Sequence, residues 1–297
     1  MKKHFKTSRS FKEIVGILTI KHLAYILGEK PQILQSIATN ADEYYRPFTE
    51  QQGSKQRRID NPTGVLKDVQ TKIGNRLLDV YPLCDIIFGA VPEHDTRMNA
   101  ALHTRQKVVV RLDLKDCFHS TKKLWVYNCF RKQFRYSHQV ATLLSNLCTY
   151  NDSVPVGSPL SSTLVNVVYD PLWRTVKAYC ESQSHRCGIW VDDVIISGHQ
   201  AEKLIPEVKR LINKRGLRIG WKKLKIQRNH LEAQEVTGNT VNSEIGVPIR
   251  KRREYAKILK QAQTDPKLFW KAQGRLAHAK FVNRKQGKQL GKLMVNE

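Results

Sequence analysis

The chain has 297 residues, 40% of them hydrophobic, enough for one large folded unit or two closely packed ones. Its 51 Lys and Arg against 26 Asp and Glu leave a formal charge of +25, which argues against an ordinary metabolic enzyme and for a polyanionic partner, most simply nucleic acid. Residues 203–297 hold 24 of those cations and only 7 of those acids, so the last third of the chain supplies most of the excess.

The N-terminus carries no uninterrupted apolar run of signal-peptide or membrane length, which sets the expectation of a cytoplasmic protein without a membrane partner. Between residues 10 and about 40, Phe11, Ile14, Val15 and Leu18, then Leu23, Ile26 and Leu27, stand at helical spacing and predict two short packing helices. Tyr44 to Phe48, a polar loop and Arg57 to Pro62 read as a loop followed by a strand. Leu66 to Leu78 has helical periodicity and ends before Pro82. Val108 to Leu112 is a β-rich run entering the acidic segment Asp113-Leu114-Lys115-Asp116, with Ser120 or Thr121 placed to cap a following helix.

Residues 121–147 should be helical, with Leu124, Phe130, Leu143, Leu144 and Leu147 as packing positions. A long helix is expected from about Pro159, since proline is tolerated in a first turn. Ile189 to Ser197 places apolar, β-branched arms on both sides of Asp192 and Asp193, the pattern of a β-hairpin with the acids at its turn. Leu204, Ile205, Val208, Leu211 and Ile212 form a helical stripe closed by Gly216, and residues 217–223 are expected to continue as a strand. Val236 to Asn242 is hairpin-like, the basic run Arg250-Lys251-Arg252-Arg253 follows, and Leu268, Ala272, Leu276, Ala279 and Val282 predict a helix with one apolar face. The six cysteines include no Cys-x-x-Cys pair and are expected as reduced thiols; Cys180, His185 and Cys187 lack an evident fourth zinc ligand.

Two adjacent carboxylates repel one another, and holding them beside apolar residues without a counter-charge is costly, so a divalent cation is the simplest remedy. An exposed Asp-Asp turn explains residues 192–193 equally well when they are taken alone. Asp113 breaks the tie, because a buried strand ending there, next to a hairpin carrying Asp192 and Asp193, would gather three carboxylates around one point. Hard oxygen ligands of this kind suit Mg²⁺, and two such ions serve an in-line phosphoryl transfer. The site expected is one for nucleotidyl transfer.

The motifs in their order resemble those of a retron-type bacterial reverse transcriptase. Leu112-Asp113-Leu114-Lys115-Asp116-Cys117-Phe118 corresponds to motif A, Pro155-Val156-Gly157-Ser158-Pro159 running into Leu164-Val165-Asn166 to motif B, and Trp190-Val191-Asp192-Asp193 to motif C. Asn99-Ala100-Ala101-Leu102-His103 before motif A and Val236-Thr237-Gly238 after motif C resemble the retron accessory signatures. The likeness spans about residues 44–285.

That resemblance implies an α+β right-hand polymerase, with N-terminal helices, fingers and palm interleaved over residues 1–235 and a basic helical thumb and RNA-binding region over 236–297. It implies RNA-directed DNA synthesis with two Mg²⁺ held by Asp113, Asp192, Asp193 and the Leu114 carbonyl. Arg57, Arg58, Val156, Gly157 and Lys223 are implied as nucleotide contacts, Lys223 also as an acid for the leaving pyrophosphate with Lys222 as its rival, and Phe118 as the ring that excludes a ribose 2′-hydroxyl. Asp116 has no such role and reads as a structural acid. Asn99, His103, Val236, Thr237, Gly238 and Arg250 to Arg253 are implied to engage RNA, although the residues alone favour a hydrogen-bonded structural role for His103. The implied partners are dNTPs, a cognate structured non-coding RNA, its branched DNA product and a separate effector protein in anti-phage defence. Val156 stands where the family has Gln, Ser162 where it has Pro, and Trp190-Val191 where it has Tyr-Ala. These departures keep open an untemplated polymerase of another defence class, and a silent RNA-binding scaffold remains the non-enzymatic rival.

Overall fold

The computed structural model describes residues 10–53 and 55–294. Along the chain come α1 (Phe11–Ile14), α2 (Ile20–Leu27), α3 (Pro31–Thr39), β1 (Tyr45–Gln52), β2 (Lys55–Pro62), α4 (Gly64–Ile73) and α5 (Thr96–Leu102). Then follow β3 (Val108–Asp113), α6 (Cys117–Ser120), α7 (Lys123–Lys132), α8 (His138–Cys148), α9 (Ser161–Ser182), β4 (Arg186–Trp190), β5 (Asp193–Gly198), α10 (Ile205–Lys214) and β6 (Lys225–Arg228). Two short strands, β7 (Glu235–Val236) and β8 (Asn239–Thr240), precede α11 (Ile249–Gln261), α12 (Phe269–Val282) and α13 (Arg284–Gly291). The chain divides into two compact units, one of residues 1–92, 114–174 and 213–218, the other of residues 93–113, 175–212 and 219–297.

The first unit packs α2, α3, α4 and α8 around Leu23, Leu27, Leu34, Leu66, Leu144 and Leu147, all fully buried. β1 and β2 form a regular antiparallel hairpin from the pair Tyr45 and Pro62 to the pair Gln52 and Lys55. The buried amide of Gln70 ties α4 to its surroundings: its Nε2 donates to Tyr45 Oη at 2.8 Å and to the Leu147 carbonyl at 2.9 Å, while its Oε1 accepts from Ser158 Oγ at 2.7 Å. Every polar atom of that side chain is thereby satisfied, as burial demands.

The second unit is built on a four-stranded antiparallel sheet in the order β4-β5-β3-β6. Val108, Val109, Val110 and Leu112 on β3 and Val194, Ile195 and Ile196 on β5 are buried, and the near-continuous apolar runs match a sheet covered on both faces. α11, α12 and α13 have a separate apolar cluster of Tyr255, Leu259, Ala272, Leu276, Ala279 and Val282. Of residues 236–297, expected as thumb, those described (236–294) lie in this unit together with the sheet.

Several boundaries differ from the sequence reading. The region 121–147 is two helices, because Arg135 takes a positive φ of 58° and Ser137 starts α8 by accepting the Val140 N–H. α9 begins at Ser161, two residues after Pro159, and instead carries Pro171 in its interior. Residues 217–223 do not form a strand: the Arg218 carbonyl accepts from Lys115 N–H, Gly220 N–H donates to the Asp113 carbonyl, and a 3₁₀ turn at Trp221–Lys223 postpones the strand to β6. The N-terminal region forms three short helices, with Gly28 at φ 59° separating α2 from α3. His185 is held by the carbonyls of Gln183 and His199 through its two ring nitrogens, and all six cysteines are free and buried.

Candidate active site

β3 ends at Asp113, and Asp193, the first residue of β5, stands opposite it in register. Trp190 on β4 also pairs with Asp193, which leaves Val191 and Asp192 as a two-residue turn. Only Val191 of the two has a positive φ, 58°, the pattern of a type II′ turn whose first position glycine usually takes. A β-branched residue there stores strain of order 1–3 kcal/mol, and the buried arms of the hairpin hold it in place.

Cations meet two of the three carboxylates. Lys223 Nζ donates to Asp113 Oδ1 at 2.6 Å. Arg111, two residues before Asp113 and so on the same face of β3, grips both oxygens of Asp193, Nε to Oδ1 at 3.0 Å and Nη2 to Oδ2 at 2.6 Å. Asp192 has its carboxyl pushed above the usual range, first by burial and then by the negative charges of Asp193 and Asp113. Gly220 comes close enough that a Cβ there would lie 3.2 Å from Asp113 Oδ2.

In donor type, three hard carboxylates at one sheet end fit a divalent cation, and their mutual repulsion would be relieved by one. As the side chains stand, no group of three or more His, Cys, Asp or Glu among the described residues is arranged to hold a metal ion. Both oxygens of Asp193 serve Arg111, and Asp113 gives Oδ1 to Lys223, so ligation by Asp193 requires its ion pair to yield.

The nucleotide contacts implied around motif B lie in the first unit, as does buried Leu114. Arg57 and Arg58 are exposed on β2, opposite Glu50 and Thr49. Arg58 Nε donates to Asp60 Oδ1 at 2.9 Å, and His119 Nε2 lies 3.6 Å from Asp60 Oδ2. Asp60 N–H in turn donates to the Val156 carbonyl at 2.6 Å. Gly157 has φ 115°, and a Cβ there would come within 2.6 Å of Ile59 Cγ2, so both its conformation and its neighbour require glycine. Half-buried Phe118 sits on α6, entered through Asp116 at φ 46°.

The two accessory signatures meet in the second unit. Asn99 and His103 on and after α5 are fully buried, and His103 Nδ1 lies 2.7 Å from Ser197 Oγ on β5. In this conformation neither side chain reaches solvent, so neither has a surface to offer RNA. Thr237 and Gly238 form the β7–β8 turn with φ of 45° and 78°; Thr237 Oγ1 and Asn239 Nδ2 both donate to the Thr96 carbonyl, at 2.8 and 3.2 Å. Val236 packs with Ala100, Val109, Ile195 and Val241. Lys251 Nζ donates to the Gly238 carbonyl, while Arg250 and Arg253 on the first turns of α11 are exposed and Arg252 is half-buried.

Arg111, Asp60 and His119 were missed in the sequence. For Arg111 the signal was there, since alternation along a strand puts it on the face of Asp113; nothing local linked Asp60 to His119.

A palm-like antiparallel sheet with carboxylates at the β3 and β4–β5 end, interleaved in sequence with a helical unit, is the fold of the right-hand polymerases. It is similar to the structure of telomerase from Candida albicans in complex with a fragment of telomeric RNA, at TM-score 0.50 and 8% identity, covering 78% of this chain and 54% of that one. The chain belongs to the reverse transcriptase (RNA-dependent DNA polymerase) family, whose profile matches residues 49–273. It is similar to the retron Se72 reverse transcriptase of Salmonella heidelberg (strain 579083-10), 26% identical over 253 residues, covering 82% of this chain and 67% of that protein. It is also similar to the retron Mx65 enzyme of Myxococcus xanthus, 27% identical over 80% of this chain and 60% of that protein, and to the retron Ec86 enzyme of Escherichia coli, 25% identical over 75% and 71%. The chain thus spans 60% to 71% of the length of these three relatives. No helix among the described residues is long and apolar enough to cross a membrane.

Proposed function

We propose that this chain is the polymerase of a retron, copying part of a cognate structured non-coding RNA into a short single-stranded DNA that stays joined to the RNA through a 2′,5′ branch. The observation that carries the reading is the meeting of Asp113 and Asp193 in register, with Asp192 at the adjoining turn. Asp113, Asp192 and Asp193, with the Leu114 carbonyl, are the groups that would hold two Mg²⁺. Bound there, the ions supply an activated 3′-hydroxyl and neutralise charge on the leaving pyrophosphate.

The other roles fall to the chain's own side chains. Lys223, paired with Asp113, is the nearby cation from which a proton can pass to the leaving group. Arg57 and Arg58 hold the triphosphate, with Val156 and Gly157 as backbone-lined nucleotide contacts. Phe118 excludes a 2′-hydroxyl by its bulk. The retron relatives and the telomerase likeness support an RNA partner, and the exposed Arg250 and Arg253 suit its phosphates. A separate effector protein, a role in anti-phage defence and a cytoplasmic location complete the proposal. Asp113→Ala is expected to abolish dNTP incorporation, and unchanged incorporation would remove the metal assignment.

Val156, an aliphatic side chain in place of the family's amide near the nucleotide, and Trp190 motivate a second reading, untemplated polymerisation, against which Asn99 to His103 and Val236 to Gly238 argue. Sequencing the nucleic acid that copurifies with the protein, after DNase, RNase or debranching treatment, decides between the two. A defined DNA that shifts on debranching supports the retron reading, and a random or homopolymeric product supports the rival.

A further inference from the structure

We infer that Asp60 is a positioning residue for the phosphate-binding groups of the nucleotide site, and that His119 is one of those groups. The inference rests on the polymerase reading above. Three segments that the polymerase reading assigns to the nucleotide meet at this one residue: Arg58 on β2 and His119, which follows Phe118, at its carboxylate, and the Pro155-Val156-Gly157 turn at its backbone N–H. Asp60 takes Arg58 Nε at 2.9 Å through one oxygen, faces His119 Nε2 at 3.6 Å through the other, and donates its N–H to the Val156 carbonyl at 2.6 Å. Gly157 lies against Ile59 and the Asp60 backbone.

The exposures define the arrangement. The Asp60 side chain is 5% exposed, whereas those of Arg58 and His119 are 58% and 49% exposed. A bare carboxylate beside a triphosphate would repel it, but here the negative charge is buried and faces two groups that remain open to solvent. Binding the Nε edge fixes the plane of the guanidinium, so Arg58 meets an anion from a set orientation instead of searching its rotamers. The ligand class that this favours is a polyphosphate with adjacent anionic groups, as on a dNTP. An ion pair that merely staples β2 to α6 makes a different prediction, because it would change stability without selective loss of nucleotide affinity.

The test uses the full chain with its RNA template and a primer, and compares Asp60→Asn, His119→Gln, Arg58→Ala and the double variant Arg58→Ala/Asp60→Asn. Asp60→Asn is expected to raise KM for dNTP about tenfold while kcat stays within about threefold, with a smaller rise of the same kind for His119→Gln. In the Arg58→Ala background, Asp60→Asn should add no more than the smaller rise seen for His119→Gln, since the larger part of its effect acts through a group already gone. An unchanged KM, or fully additive effects, would overturn the assignment. Should Asp60→Asn fail to fold, the half-exposed His119→Gln carries the test, and an unchanged KM there overturns it equally. Equilibrium binding of a fluorescent dNTP in Ca²⁺ reads nucleotide affinity without turnover. Wild-type protein that binds this probe normally but incorporates nothing would count against the polymerase reading, whereas variants that bind it as tightly as wild type would count against Asp60.

Discussion

His103 shows how burial turns a recognition signature into a structural part. Its ring is fully buried, and its Nε2 has no hydrogen-bond partner while Nδ1 meets Ser197. Burial, and secondarily the charge of Arg186, pushes its pKa down to about 3. The folded protein therefore keeps the ring neutral where the unfolded chain, with a pKa of about 6.5, takes up a proton. The stability this group contributes is full above about pH 6.5 and is lost as pH falls towards 3, at about 1.4 kcal/mol per pH unit. Melting curves at pH 7.5 and 5.5 should show a smaller loss for His103→Gln than for wild type, and equal losses would mean that the histidine is not held neutral. Asp113, Asp192 and Asp193 were legible as a group because acids flanked by apolar runs are conspicuous. Arg111 was legible only as a neighbour of Asp113 on one face of β3; that it grips Asp193 depends on the pairing of β3 with β5.

At the scale of elements, the two accessory signatures are a joint between α5, the β7–β8 turn and the back of the sheet. α5 packs against β4, where Gly188 leaves room for it: a Cβ on Gly188 would run into Asn99 Oδ1 and stand 2.9 Å from His103 Nε2. Gly188→Ala is accordingly expected to cost about 1–3 kcal/mol, measured by denaturant unfolding, from overpacking alone. A neutral substitution would show that α5 can shift away from the strand. From sequence, Asn99 to His103 and Val236 to Gly238 were separate matches more than 130 residues apart. Their meeting through the Thr96 carbonyl is a tertiary fact that periodicity cannot express. The misplaced strand at 217–223 has the same origin, since its polar backbone groups are claimed by Asp113 and Lys115.

For the whole molecule, the surplus of 25 positive charges suits a polyanion, and under the proposed function the salt dependence of RNA binding follows the number of phosphates that its cations neutralise. Arg250 and Arg253 are exposed at the start of α11, whereas Lys251 is spent on the Gly238 carbonyl. Neutralising Arg250 and Arg253 to Gln should reduce the slope of log affinity against log salt by about one for each phosphate that is no longer neutralised, with the fold intact. Lys251→Gln should instead act on stability. Titrations of RNA at several salt concentrations distinguish these outcomes, and an unchanged slope for the arginine pair would take α11 out of the RNA path.

The sequence by itself determined the hairpin that carries Asp192 and Asp193, the strand that ends in Asp113 and the basic C-terminal helices, because alternation, helical periodicity and charge are local properties of a chain, and the order of its motifs gave the resemblance that implies the polymerase fold class. Tertiary structure alone decided which cation meets which acid, that Asn99 and His103 face inwards, and that Asp60 gathers Arg58, His119 and the Val156 turn. Those relations join residues far apart in the chain, and they exist only once burial has removed water as the competing partner.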